Sequence, residues 1–141
     1  MDDRSLYQTV LGLEAPWRVV SVAVESDREE IVVRVEREGA EPLGCPECGR
    51  DAPGYDRAEE RRWRHLDTCQ YRTILVARIP RVKCAAHGVR QVRVPWAEDR
   101  SRFTAWFEAL AIRVLRETTV AGMAELMRLS WHEAEGIFRR A

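Results

Sequence analysis

Two short segments constrain this chain more than anything else in it: Cys45-Pro46-Glu47-Cys48-Gly49 and Cys84-Ala85-Ala86-His87-Gly88. Each holds two ligand-type residues separated by two positions and followed by glycine, with 35 residues between the two pairs. That gap lets both side chains of a pair reach one ion from a tight turn, and the glycine supplies the positive φ with which the chain leaves it. Together Cys45, Cys48, Cys84 and His87 offer three thiolates and one imidazole, a closed tetrahedral set with no position left for a catalytic water. Soft thiolates exclude magnesium and calcium, and no redox context surrounds them, so structural Zn2+ is the expected ion. The alternative is a group of unmetallated thiols in a core.

The rest of the chain suits that reading. Met1-Asp2-Asp3-Arg4 is acidic, no apolar h-region follows, and no apolar run approaches the roughly 20 residues that span a bilayer. A cytoplasmic protein without membrane contact is therefore expected, in which four cysteines read as ligands or free thiols rather than as disulfides. Cys69 lies outside both pairs and reads as a small buried hydrophobe. His65, in Arg64-His65-Leu66-Asp67, reads as a hydrogen-bonded structural histidine beside Asp67; a ligand or catalytic base is the competing reading.

Hydrophobic periodicity divides the chain. Residues 5–13 form a short helix that Ser5 caps and Gly12 ends. Trp17–Val24 and Ile31–Arg37 alternate as a β-hairpin, and further strands are predicted at Arg61–Leu66, Tyr71–Ile79 and Val89–Val94. Gly44 to Gly54 has loop composition and is predicted to hold no regular element. After Pro95 the period becomes helical: Phe103, Trp106, Phe107, Leu110, Val114 and Leu115 make one stripe predicted to be buried. Thr118 or Thr119 caps a second helix, and Ser130 with Glu133 caps a third. The expected class is α+β, a small zinc-stabilised β-rich module over residues 1–100 followed by a helical helix-turn-helix module over residues 101–141.

A formal net charge of zero conceals an asymmetry. Residues 1–60 carry 7 basic and 15 acidic side chains, whereas residues 61–102 carry 11 basic and 3 acidic. Such a block invites an anionic partner, with Arg61, Arg62, Arg64, Arg72, Arg81 and Lys83 as phosphate candidates. The competing reading is a sheet face whose arginines pair with the acidic N-terminal half. Downstream, Val120–Arg139 fits a helix-turn-helix: Ala124 is the small contact residue, and Met123, Met127, Leu129, Ala134 and Ile137 are the inner face. Arg128 occupies the turn position usually given to glycine. In this reading Trp131, His132, Glu135 and Arg139 face a DNA major groove. A plain helical hairpin packed on the β-rich part is the alternative, and the outward acids Glu133 and Glu135 favour it.

Taken in order, Leu11-Gly12-Leu13, the two ligand pairs, Arg64-His65-Leu66-Asp67, Val94-Pro95-Trp96-Ala97, Ser101-Arg102-Phe103-Thr104 and the helix-turn-helix resemble bacterial insertion-sequence transposases of the ISL-three type. The resemblance implies a zinc finger and helix-turn-helix that recognise double-stranded DNA at the terminal inverted repeats of an element. It also implies a following RNase H-like domain that does not fit within these residues, so no catalytic residue is expected here. A homodimer is compatible with it. From a different class, the aromatic helix Phe103–Arg116 would instead serve a protein-interaction or dimerisation module.

Overall fold

One long apolar strand, flanked on both edges, organises the sheet. The computed structural model describes residues 1–39 and 42–141. Its elements are α1 (Asp3–Val10), β1 (Trp17–Glu25), β2 (Glu30–Arg37), β3 (Leu43–Gly44), β4 (Asp51–Ala52), β5 (Gly54–Thr68), β6 (Tyr71–Cys84), β7 (Gly88–Gln91), α2 (Ala105–Leu115), α3 (Val120–Leu126) and α4 (Trp131–Arg140). The class is α+β. The main sheet has the order β1-β2-β6-β5, with β7 also on β6, and β3 and β4 pair separately. All pairings are antiparallel except β2 with β6, which is parallel.

Strand β6 is central because it is apolar on both faces: Thr73, Ile74, Leu75, Val76, Ala77, Ile79, Pro80 and Val82 are all buried. On one face Leu75, Ala77 and Ile79 join Val33, Val35, Trp63, Trp17 and Trp96 in the first core, which Tyr7 of α1 and Leu13 close. The rings of Trp17 and Trp63 each meet Trp96 edge-on, at 5.0 and 5.2 Å between centroids. A bulge at Val19/Ser21 shifts β1 by one residue, so that Val22, rather than Ser21, follows Val19 onto the core face. On the opposite face Val76 is 1% exposed. Its flanking partners Arg34 and Arg62 reach across β6 in opposite senses, to Glu60 at 2.6 Å and Glu30 at 2.9 Å. Their aliphatic stems shield the strand while the charged heads stay in water.

A bulge between His65 and Thr68 in β5 joins the two parts of the molecule. Regular alternation would send Leu66 and Asp67 to opposite faces. With the extra residue, Leu66 packs on the helical core and Asp67 pairs with Arg64 and Arg128, while Thr68 returns to bond Thr73 and the Tyr7 hydroxyl. The helical core consists of Phe103, Phe107, Ala111, Met123, Ala124, Met127, Ala134 and Ile137. Residues 102–104 add to the free edge of β5: the Arg64 N–H donates to the Arg102 carbonyl and the Thr104 N–H donates to the Arg64 carbonyl, both at 2.9 Å.

Several local expectations are corrected. Asp2 caps α1, not Ser5, because its carboxylate accepts the Ser5 N–H; Gly12, at φ +66°, does end that helix, with Gly12 and Leu13 donating to Thr9 and Gln8. The segment 44–54 is not devoid of regular structure, since β3 and β4 close it into a hairpin. On α2 the buried residues are Phe107, Glu108 and Ala111, whereas Trp106 and Leu110 are 64% and 43% exposed. The stripe is turned because the buried Glu108 accepts hydrogen bonds from Ser101 and Arg140 and is thereby held inward. Cys69 is exposed, in the turn from β5 to β6 at φ +54°.

His65 is a buried structural histidine, but its partner is the N-cap Thr104, with Nδ1 2.7 Å from Oγ1, and not Asp67. Burial pushes its pKa below the ordinary imidazole value, so the folded state favours the neutral ring. Protonation then favours the unfolded chain: the contribution is complete above the unfolded value of about 6.5 and is lost as pH falls below it. Urea titrations at about pH 7.5 and about pH 5.5 are expected to show a smaller loss of stability on acidification in His65→Gln than in the parent.

Candidate metal centre and nucleic-acid interface

Strand pairing brings the two ligand pairs together. The first sits on the small β3–β4 hairpin, which leads directly into β5; the second is the β6–β7 turn, where Cys84 pairs with Gly88. Because Gly54 of β5 opposes Val82 of β6, the hairpin tip is carried alongside that turn. Gly49 and Gly88, the residues after each pair, both have φ +74°. The Gly49 N–H donates to the Cys45 carbonyl at 2.8 Å, and the Cys45 N–H donates to the Arg50 carbonyl at 2.9 Å. From β7, Arg90 pairs with Glu47 at 3.8 Å, and just beyond it Arg93 donates to the Pro46 carbonyl at 3.1 Å.

The four donor atoms of Cys45, Cys48, Cys84 and His87 all lie within 4.8 Å of one another. Three edges of the figure are 3.8 Å for Cys48 to Cys84, 3.8 Å for Cys45 to His87 Nδ1, and 3.6 Å for Cys84 to His87 Nδ1. A tetrahedral zinc with sulfur at about 2.3 Å and nitrogen at about 2.0 Å requires edges of about 3.8 Å and about 3.6 Å, so the spacing fits that ion. It is far from the roughly 2.05 Å of a disulfide. The His87 side chain lowers the Cys84 thiol to about 6, helped by the Ala86 and His87 backbone N–H groups, so the thiolate is preferred at neutral pH. At Cys48 the Arg50 N–H acts to lower the thiol, but burial and the sulfurs of Cys84 and Cys45 override it and push the thiol up. Packed sulfurs that resist joint ionisation are what a divalent cation relieves.

The basic block is divided by the fold. Arg61 stacks 4.6 Å over Trp63 and donates to Gln91 at 2.9 Å. Arg62 pairs with Glu30, and the Arg81 fork clasps Asp56 and holds that carboxyl below its usual range. Arg64 is 9% exposed and lies 4.7 Å over the Phe107 ring. Its guanidinium donates to the carbonyls of Met127 at 2.6 Å and Arg128 at 3.0 Å and to Asp67 at 3.2 Å. Enclosure by α2 and the end of α3 withdraws it from any surface a phosphate could touch, which corrects its placing among the phosphate candidates. Among the described residues Arg72, half-buried, and Lys83, exposed, make no ion pair. Arg102, exposed and in the same block, lies two residues before the Thr104 cap.

In the last two helices Thr119 caps α3 and Ser130 caps α4 with a complete capping box. Arg128 sits at φ +55° as the residue after the α3 cap, with its N–H and that of Leu129 returned to Glu125 and Ala124. Trp131 is 54% exposed, and His132 and Arg139 are exposed as well. Glu133 is turned back to the Ser130 N–H at 2.9 Å, and Glu135 pairs with Arg139 at 2.8 Å. Residue spacing carried no sign of the Glu108–Arg140 pair that ties α2 to α4. No described helix is long and apolar enough to cross a membrane.

Comparison with known proteins agrees with this geometry. The family model for the zinc-finger of transposase IS204/IS1001/IS1096/IS1165 matches residues 41–87, and that for the helix-turn-helix domain of transposase family ISL3 matches residues 92–141. Both matches are to parts of ISL3-family transposases, in the same order along the chain. Transposases for insertion sequence element IS1557 from two strains of Mycobacterium tuberculosis, CDC 1551 / Oshkosh and ATCC 25618 / H37Rv, are each 31% identical to it over 140 residues. Those alignments cover 96% of the chain and 32% of each relative, so it spans about a third of their length. No solved structure matches it.

Since Arg64 is enclosed and Lys83 is not, their removal is expected to differ in kind. Arg64→Met leaves two helix-end carbonyls without donors and is expected to cost about 2–3 kcal/mol in denaturant unfolding. Lys83→Ala is expected to stay within about 0.5 kcal/mol of the parent.

Proposed function

We propose that the chain is a zinc-dependent DNA-binding module that recognises the end of an insertion sequence. A zinc-stabilised β-rich part, residues 1–100, precedes a helix-turn-helix part, residues 101–141. The observation that carries this reading is a tetrahedrally spaced Cys3His set in the same chain as a capped two-helix unit whose second helix leaves Trp131, His132 and Arg139 exposed. Cys45, Cys48, Cys84 and His87 Nδ1 would hold the ion, which supplies structural cross-linking of the β3–β4 hairpin to the β6–β7 turn. Such an ion contributes on the order of 10 kcal/mol to folding small modules.

In this reading α4 enters the major groove, where Arg139 and His132 meet base edges and Trp131 meets a thymine methyl. Both acids on the helix are accommodated: Glu133 serves the cap, and Glu135 is neutralised by Arg139, an exposed pair that costs little to exchange for DNA. Arg72, Lys83 and Arg102 meet phosphates, with Arg62 and Arg81 joining where DNA displaces their carboxylates. The relatives are named as transposases for an insertion sequence element; the inverted repeat of a neighbouring element is the target in this reading, and DNA binding supports a cytoplasmic location. A second reading, a dimerisation module, draws on the exposed Trp106 and Leu110 of α2, which offer an apolar face to another copy.

Elemental analysis of protein purified without added metal is expected to give one zinc per chain. Cys45→Ser or Cys84→Ser is expected to abolish the β-rich fold by circular dichroism, and Cys69→Ser to preserve it; equal damage from all three would overturn the ligand set.

Fluorescence anisotropy is expected to show tighter binding to duplex carrying the inverted repeat than to random duplex. Affinity should fall with salt at a slope of about −0.9 per neutralised phosphate. Lys83→Ala should weaken both duplexes alike, while Arg139→Ala should reduce the preference by about 1–3 kcal/mol. Absence of binding to either duplex at micromolar protein, with a dimeric mass on gel filtration, would favour the dimerisation module.

A further inference from the structure

The buried guanidinium of Arg64 has more partners than stabilising one strand requires. It comes from β5, stacks on Phe107 of α2, and fills the carbonyl end of α3 through Met127 and Arg128. Asp67, re-aimed by the β5 bulge, holds Arg64 at 3.2 Å and Arg128 at 2.6 Å, and Arg128 also lies 3.9 Å from Glu29 beside β2. The contacts therefore converge on the turn between α3 and α4, immediately before the Ser130 cap. Apolar packing of Leu66 and Phe103 tolerates sliding, whereas a planar fork on two fixed carbonyls and one carboxylate sets an angle.

We propose that Arg64 is a positioning residue for DNA recognition: it fixes the pose of the α3–α4 unit on the sheet, so that base discrimination depends on a side chain that touches no DNA. The proposal rests on the DNA-binding reading above, but its first consequence is measurable without DNA. A recognition helix and the phosphate contacts of the sheet engage one duplex together only if their relative orientation is held. Loss of the fork leaves the charges of the surface unchanged while the helix takes several poses. The preference for the cognate duplex falls, and the salt dependence stays.

The test places spin labels at Ser21→Cys on β1 and Glu125→Cys on α3, both exposed, in a zinc-loaded Cys69→Ser chain, and measures the distance distribution by pulsed electron resonance. The parent is expected to give one narrow distribution. Arg64→Met, and more mildly Asp67→Asn, which keeps the buried arginine and the fold, are expected to broaden it at unchanged helicity and zinc content. Without the labels, Asp67→Asn is expected to lower the ratio of affinities for inverted-repeat and random duplex by roughly tenfold, about one base-edge contact, with the salt slope intact. A distribution as narrow in Asp67→Asn as in the parent overturns the proposal, and so does a salt slope that falls in proportion to affinity. Failure of the parent to prefer the repeat would overturn the DNA-binding reading instead, leaving the distance result to stand separately.

Discussion

Every part of this molecule depends on the middle of strand β6, residues 73–77, being buried on both faces. Its central residues are too apolar for an edge, so it recruits β5 on one side and β2 and then β7 on the other. That demand sets the whole arrangement. The start of β6 lies beside the β5 bulge and the helices, and its end delivers Cys84 to the metal set. A single continuous element thus connects the helical region to the cysteine cluster, and distortion at either end is transmitted along a backbone whose hydrogen bonds are nearly all committed.

Charge acts as the complement of that strand. A net charge of zero is reached by putting acids early and bases late in the chain, and folding then brings the two together across the sheet. Glu30 and Glu60 each meet an arginine across β6, and Asp56 meets one on β6 itself. Individually such exposed pairs contribute little. Their geometric effect is larger: they lay arginine stems over Val76 and leave a surface of alternating sign.

Much of the fold was legible in the sequence because its signals are local. Alternation gave the β1–β2 hairpin, serine and glutamate three residues apart gave the α4 cap, and paired two-residue gaps gave the cysteine cluster before any strand was paired. What escaped was non-local. Nothing in the run Arg61, Arg62, Arg64 distinguishes a side chain stacked on a core tryptophan from one paired across a strand or one sealed beneath α2 and the end of α3. The bulge that decides this arises from the register of β5 against β6. Likewise Trp106 and Leu110 fit the helical stripe by spacing, and only the inward hold on Glu108, set by Arg140 of a distant helix, turns them outward.

The parallel pairing of β2 with β6 has a consequence for how the chain reaches this state. The β1–β2 and β5–β6 hairpins close over short loops, but joining them in parallel requires a crossover that spans the first cysteine pair and all of β5. Such sequence-distant contacts carry a loop-closure cost that must be met before any burial rewards it, and they govern folding speed more than stability. The cysteine cluster lies within this crossover and at the far end of β6, so an ion bound there shortens the free loop before β2 docks. Such an ion would thereby tie the two ends of the crossover together as well as stabilise the finished sheet.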